Sequence, residues 1–356
     1  MHPDKPVQLI LDDGTIFEGK SFGSETAKAG EVVFSTAMVG YTESLTDPSY
    51  LGQILVVTFP LVGNYGVPED SFVDGISTFY ESEKIQVSGL IVSDYSHEYS
   101  HWNAKKSLGD WLKEHDVPGI YGIDTRALTK LLREKGSMKG KIVFEGADEI
   151  EFYDPNVENQ VAKASCKEIL KYGKGDKTVV LIDCGVKHNI IRSLLKRNVK
   201  VIRVPWNYDF HQLEWDGLFI TNGPGNPDFC EETVKNIRKA LDGNKPICGI
   251  CMGNQLLSKA GGATTYKLKY GHRSHNQPVK MVDSTQCFIT SQNHGYAVSN
   301  KSLGEDWEPL FINLNDGTNE GIKHKTKPFF SAQFHPEASS GPTDTGFLFD
   351  MFVEKL

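Results

Sequence analysis

The sequence predicts an α/β chain in two parts, an N-terminal α+β unit followed by a doubly wound α/β unit. Three observations predict it. The first part is a series of short β-rich runs broken by Gly, Pro, Asp and Ser; the second alternates continuous apolar runs with stretches of helical spacing; and in the second part Gly- or Cys-bearing turns directly follow the apolar runs. Continuous apolar runs suit strands buried on both faces of a parallel sheet. Strands alternating with helices give an open sheet covered by helices on both sides.

In chain order, the first part offers the strands VQLIL (7–11), EVVFST (31–36), QILVVTF (53–59) and VSGLIVSDY (87–95). Clusters of turn residues separate them. Two helical patterns follow, AKKSLGDWLKEH (104–115) and DTRALTKLLREKG (124–136), the second with Asp124 as N-cap and Gly136 just past its end. GKIVFEG (140–146) closes a domain of residues 1–150. Residues 151–177 mix charge, Gly, Pro and Asn without periodicity and read as a linker with one short helix at VAKASCKEIL. The second domain, 178–356, opens on the strand TVVLID, then the helix NIIRSLLKRN and the strands VKVIRV and GLFIT. The helix TVKNIRKAL and the strand KPICGI come next, and later strands lie in QCFITSQ and KPFFSAQF before a last helix.

Hydrophobic residues at 39% and charged residues at 24% indicate a globular chain with a sizeable core. A formal charge of −8 supplies no basic footprint for nucleic acid, and no apolar run is long enough to cross a bilayer. The start, MHPDKPVQLILDDG, lacks the layout of a signal or transit peptide. Six sparse cysteines favour a reduced compartment over a disulfide framework. A cytoplasmic protein is expected, with a mitochondrial one left open.

In a doubly wound sheet ligands bind where strands end. After KPICGI, Cys251 sits in Gly249-Ile250-Cys251-Met252-Gly253, a nucleophile-elbow pattern. A helix start there favours thiolate and offers N–H groups to an oxyanion. Taken alone, Cys251 also reads as a buried structural cysteine, or with Cys248 as a C-x-x-C redox pair or half a zinc site. Cys248 lies inside an apolar strand, however, and no second Cys pair exists at zinc-site spacing. After PFFSAQ comes Phe334-His335-Pro336-Glu337, in which Glu337 can orient the His335 imidazole. After GLFIT comes Asn222-Gly223-Pro224-Gly225-Asn226-Pro227, whose glycines let backbone approach a ligand or simply form a turn.

NGPGNP, GICMGNQ and FHPE together resemble the signature segments of class I (triad) glutamine amidotransferases. GEVVFSTAMVGYTESLTDPSYLGQI, GNYGVP, GIDTRALTKLLREKG, DCGVKHNIIRSL, GHRSHNQPV and TSQNHGYAV extend that resemblance over nearly the whole chain. They are similar to the glutamine-hydrolysing small chain of carbamoyl-phosphate synthetase. The resemblance implies a small-chain domain followed by a glutaminase domain that converts L-glutamine to glutamate and ammonia. It assigns Cys251 as nucleophile, His335 as proton shuttle and Glu337 as its orienting partner. The N–H groups of Gly225 and Met252 would hold the oxyanion. Gly223, Gln255, Asn293, Gly295 and Tyr296 would surround glutamine, with Ser49 contributing from the first domain. Asn293 and Gly295 also read as a hairpin turn. Ammonia would pass to a large synthetase chain or fused domain that binds ATP, its metal and bicarbonate; no cofactor or metal is expected in this chain. The family usually reads GICLGHQ, so Met252 and Asn254 are departures, and Asn254 removes a titratable ring beside the nucleophile. Ammonia-using relatives resemble this segment but lack the Cys, whereas Cys251, Gln255 and His335 are all present here. Two other readings are an amidotransferase or γ-glutamyl hydrolase of another kind, and a degenerate domain retained for structure.

Overall fold

A computed structural model describes residues 5–356. Residues 1–4, the opening of the stretch examined above for a targeting segment, lie outside the described residues. The chain divides into two compact units, the first ending at Val157 and the second beginning at Glu158.

In the first unit seven strands close a barrel. They are β1 (Pro6–Leu11), β2 (Ile16–Ser21), β3 (Lys28–Ser35), β4 (Gln53–Val57), β5 (Gly89–Ile91), β6 (Gly119–Tyr121) and β7 (Met138–Phe144), in the order β1-β7-β3-β4-β5-β6-β2. Closure leaves the barrel no open edge for another chain to pair with. The alternation in VQLIL sends Val7, Leu9 and Leu11 inward, all essentially without exposure. Three helices join the strands: α1 (Tyr41–Thr46), α2 (Leu108–Glu114) and α3 (Thr125–Lys135). The Asp124 carboxylate accepts the Ala127 N–H at 2.8 Å, and Gly136 ends α3 at φ 104°. The helix expected over 104–115 starts only at Leu108. Ala104–Lys106 pairs instead with Val67–Pro68, and the Ser107 hydroxyl caps the Asp110 N–H at 3.0 Å.

The second unit holds a sheet of ten strands. They are β8 (Leu170–Tyr172), β9 (Thr178–Asp183), β10 (Lys200–Pro205), β11 (Gly217–Ile220), β12 (Ile247–Ile250), β13 (Thr265–Met281), β14 (Cys287–Val298), β15 (Trp307–Asn313), β16 (Asn319–His324) and β17 (Phe329–Ala332). Their order is β8-β10-β9-β11-β12-β17-β16-β15-β13-β14. The central five, β10-β9-β11-β12-β17, are parallel. The helices are α4 (Gln160–Ala164), α5 (His188–Leu195), α6 (Glu231–Leu241), α7 (Met252–Ala260) and α8 (Phe347–Val353). The parallel strands are the apolar runs of the sequence: Leu218, Phe219 and Ile220 of β11 are fully buried. Phe219 stacks on Phe349 at 5.7 Å and meets Phe352 edge-on at 5.3 Å, which fastens α8 to the sheet.

Two expectations are corrected here. The stretch 151–177 is not a free connector. It carries α4, capped by the Asn159 side chain on the Ala162 N–H, and β8, which pairs antiparallel with β10 at the sheet edge. Both elements are too short to show a period in sequence, and the expected helix at VAKASCKEIL stops at Ala164. Asn293 and Gly295 do not form a hairpin turn; they lie within β14, which pairs with β13.

Candidate active site

Strand β12 ends at Ile250, α7 begins at Met252, and Cys251 makes the whole turn between them at φ 54°, ψ −103°. A non-glycine residue there is strained, and the surroundings must hold it. The Cys251 N–H donates to the Ala332 carbonyl at 2.8 Å, anchoring the elbow to β17. The flanking glycines are set by close approach. A Cβ on Gly249 would fall 2.5 Å from the Gly253 carbonyl oxygen, and one on Gly253 only 2.1 Å from that of Ile220. Gly253→Ala is therefore expected to lose roughly 3 kcal/mol or more of stability, measured by denaturant unfolding. An unchanged midpoint would show that the helix can move off β11. The Cys251 thiol is 2% exposed and donates to the Asn293 carbonyl at 3.7 Å. Cys248 is buried inside the strand, where desolvation pushes its thiol up, and all six cysteines are free.

His335 follows β17, and its N–H donates to the Ser291 carbonyl at 2.9 Å. Its ring Nδ1 lies 2.7 Å from Glu337 Oε1. A carboxylate accepts only, so Nδ1 carries the hydrogen and Nε2 is the atom left for chemistry. Nε2 is buried. Burial is the largest influence and works against the charged ring, with Lys187 on the same side, but Glu337 and Cys251 together outweigh them. The imidazole is thereby held well above its ordinary value.

Glu337 Oε1 is shared with a residue that the sequence reading gave no role. Lys187 Nζ lies 3.1 Å from it, and both side chains are buried. Burial would raise the Glu337 carboxyl, but Lys187 and then His335 outweigh it and bring it down to about 2. The loop that aims Lys187 is built by two side chains. Asp183 accepts from the N–H groups of Gly185 (2.9 Å) and Val186 (2.8 Å), and Asn222 Oδ1 accepts the Lys187 N–H at 3.0 Å. The signal lay in DCGVK, an Asp two and three residues ahead of the N–H groups it accepts, ending in a lysine beside a strand terminus.

The remaining residues group as follows. Met252 buries its side chain in the apolar core under the sheet, leaving its N–H at the first turn of α7. Gln255 donates to the Tyr296 carbonyl at 3.0 Å and to Gln333 Oε1 at 3.3 Å, tying α7 to β14. Asn293, Gly295 and Tyr296 therefore share a strand held at Tyr296 by Gln255 and at Asn293 by the Cys251 thiol. Gly223 is buried against the Cys184 carbonyl, and Gly225, at φ 82°, packs beside Gln160 of α4. Ser49 belongs to the first unit, where it is buried in the turn Pro48–Tyr50 and its N–H donates to Asp47 Oδ1 at 2.9 Å. Asn254 is fully buried and faces β17. Its Nδ2 donates to Gln333 Oε1 at 2.8 Å, and its Oδ1 accepts from the Ser331 hydroxyl at 2.7 Å.

A sulfur on a strained strand-to-helix turn, with an imidazole that a buried carboxylate orients, is the arrangement of a cysteine nucleophile and its base. Residues 180–355 match the family model of class I glutamine amidotransferases. Residues 9–142 match that of the carbamoyl-phosphate synthase small chain, CPSase domain, and the chain belongs to that small-chain family with its amidotransferase domain. It is 53% identical over 354 residues to carbamoyl-phosphate synthase [ammonia], mitochondrial, of Aquarana catesbeiana, covering 98% of this chain and 24% of that protein. It is 52% identical over 352 residues to the multifunctional protein CAD of Squalus acanthias, covering 97% of this chain and 16% of that protein. The chain thus spans about a quarter or less of the curated relatives it matches.

Proposed function

We propose that this chain hydrolyses L-glutamine to glutamate and ammonia through a thioester on Cys251. The ammonia then passes to a synthetase chain or fused domain that makes carbamoyl phosphate with ATP and bicarbonate. The reading rests on one observation, the Cys251 elbow coupled to the His335–Glu337 pair at 2.7 Å. The Cys251 thiolate attacks the side-chain amide carbon, and the N–H groups of Met252 and Gly225 receive the oxyanion. His335 gives a proton to the departing nitrogen, and ammonia leaves. Water then adds to the thioester, His335 takes its proton, and glutamate departs with the thiolate restored. Gln255, Asn293, Gly295, Tyr296 and Gly223 shape the glutamine pocket. ATP and its metal fall to the synthetase partner.

Relatives whose name carries "[ammonia]" favour a second reading, in which the domain serves its partner without hydrolysing glutamine. Glutamate release by the chain alone, with a synthetase partner, and with partner plus ATP and bicarbonate separates the two. Slow release alone, rising about tenfold or more in the full mixture, is expected; no release in any of the three overturns the glutaminase reading.

Asn254 tests how much of the pocket depends on the side chain after the elbow. Its amide is spent on Gln333 and Ser331 rather than on the sulfur. Asn254→His should cost about 1–3 kcal/mol of stability, from a larger ring in a fully packed site. The change in kcat/KM should stay within about tenfold. A much larger kinetic effect with unchanged stability would give position 254 a direct part in the reaction.

A further inference from the structure

Away from the elbow, three strands of the antiparallel half of the sheet converge on a buried group of metal-ligating side chains: His272 of β13, His294 of β14 and Glu320 of β16. All are at least nine-tenths buried, and Glu320 has no exposure at all. Their ligand atoms lie within 4.8 Å of one another. We propose that this group, completed by Gln292 Oε1, is a binding site for a divalent cation of the zinc type. It uses none of the Cys251, His335 and Glu337 side chains and is independent of the glutaminase reading.

The hydrogen bonding fixes which ring atoms face the group. His272 Nε2 lies 2.9 Å from Asp316 Oδ2 and therefore carries its hydrogen outward; His294 Nδ1 lies 2.9 Å from the Tyr296 carbonyl oxygen and does the same. A ring nitrogen donating to a carboxylate or carbonyl while the other faces inward is how metal-bound histidines are oriented. In the neutral rings the inward atoms, His272 Nδ1 and His294 Nε2, present lone pairs. They face Gln292 Oε1 at 3.0 and 3.1 Å, and Glu320 Oε1 at 3.4 and 3.9 Å. Ligands about 2.0–2.1 Å from a tetrahedral zinc stand about 3.3 Å apart, close to these four separations.

The donors present do not fill the space. Asn313 Nδ2 donates to Glu320 Oε1 at 2.9 Å and reaches His272 Nδ1 only at 3.5 Å, while Gln292 Nε2 is spent on the Thr290 hydroxyl at 3.1 Å. Glu320 Oε2 is buried with no partner. Turning the Gln292 amide over would serve both rings, but it leaves Glu320 Oε2 buried without a partner. A cation satisfies both lone pairs and the carboxylate together. Two imidazoles with a carboxylate and an amide oxygen favour a borderline ion over calcium or magnesium. Asp316, which accepts from His272 Nε2, is 40% exposed. Occupancy would brace β14 at His294, between Asn293, which accepts from the Cys251 thiol, and Tyr296, which accepts from Gln255.

The test is zinc uptake by the whole chain after chelator treatment, followed by elemental analysis, competition with a chelating dye, and X-ray absorption of the zinc-loaded protein. One zinc per chain is expected, held by nitrogen and oxygen alone at about 2.0–2.1 Å. Cys251→Ser should take up the same amount, and His272→Asn and Glu320→Gln should each bind at least about tenfold more weakly. Absence of uptake, a sulfur neighbour at about 2.3 Å, or affinity unchanged in both variants would overturn the site. Should one variant fail to fold, the other and the wild-type absorption spectrum decide.

Discussion

Replacing Cys251 by serine is expected to lower glutamine hydrolysis by at least about 10³-fold while the assembled synthetase still uses added ammonia. The elbow tolerates the change, because the strained backbone at φ 54° and the bond from the Cys251 N–H to Ala332 do not depend on the side-chain atom. Chemistry does depend on it. A serine hydroxyl does not ionise near neutrality, and the proton it must shed has to pass to His335 during attack rather than before it. Quenching the reaction in acid with labelled glutamine should trap a covalent adduct on the wild type and none on the variant. Stability should shift by less than about 1 kcal/mol, since the thiol's bond to the Asn293 carbonyl is long at 3.7 Å. Glutamine turnover near the wild-type rate would remove Cys251 from the mechanism and, with it, the thioester.

The elbow was legible in the sequence because close packing leaves a mark on composition. Gly249 and Gly253 are required by carbonyl oxygens that a Cβ would strike, and an apolar run before them announces the strand. His335 and Glu337 were legible for a similar reason, lying two residues apart just after a buried strand, where one side chain can orient the other. The partners that set their electrostatics were hidden. Lys187 reaches Glu337 across 150 residues of sequence, and a lysine at a loop end reads as solvated until the fold buries it. The long strand β13, and β14 beyond Gln292, were equally hard to see. GHRSHNQPV and TSQNHGYAV are polar, yet His272, Gln292 and His294 are buried, because they bond one another and their neighbours rather than pack as hydrocarbon. Hydrophobic periodicity finds apolar faces only. Asn254 shows the converse: a substitution beside the nucleophile that looked chemical in sequence belongs to a hydrogen-bonded layer between α7 and β17.

The second large effect concerns the carboxylate oxygen where two cations meet. Glu337→Gln is expected to destabilise the domain by about 3–5 kcal/mol, because it leaves the Lys187 ammonium buried without its anion. Lys187→Met should cost less, since Glu337 keeps its 2.7 Å bond to His335 and the ammonium is replaced by hydrocarbon. Catalysis should rank differently. His335→Asn removes the group that carries the proton, whereas Glu337→Gln removes only the group that orients it, so the histidine variant should be the slower. The two glutamate-site variants also part in their pH dependence. Glu337 is held at about 2, below an ordinary value of 4.5, so the stability it contributes is fully present above 4.5 and is lost as the pH falls through about 2. Wild-type unfolding should steepen over that window; in Glu337→Gln this component should be absent. In Lys187→Met it should begin at higher pH, because Lys187 is the largest of the influences holding the carboxyl down. Lys187 also lowers the proton affinity of His335, so its removal should move the basic limb of the glutaminase pH profile upward. If both variants unfolded like the wild type from pH 7 down to 2, Lys187 and Glu337 would not be paired in solution. His335 would then be oriented by something other than a carboxylate locked between two positive charges.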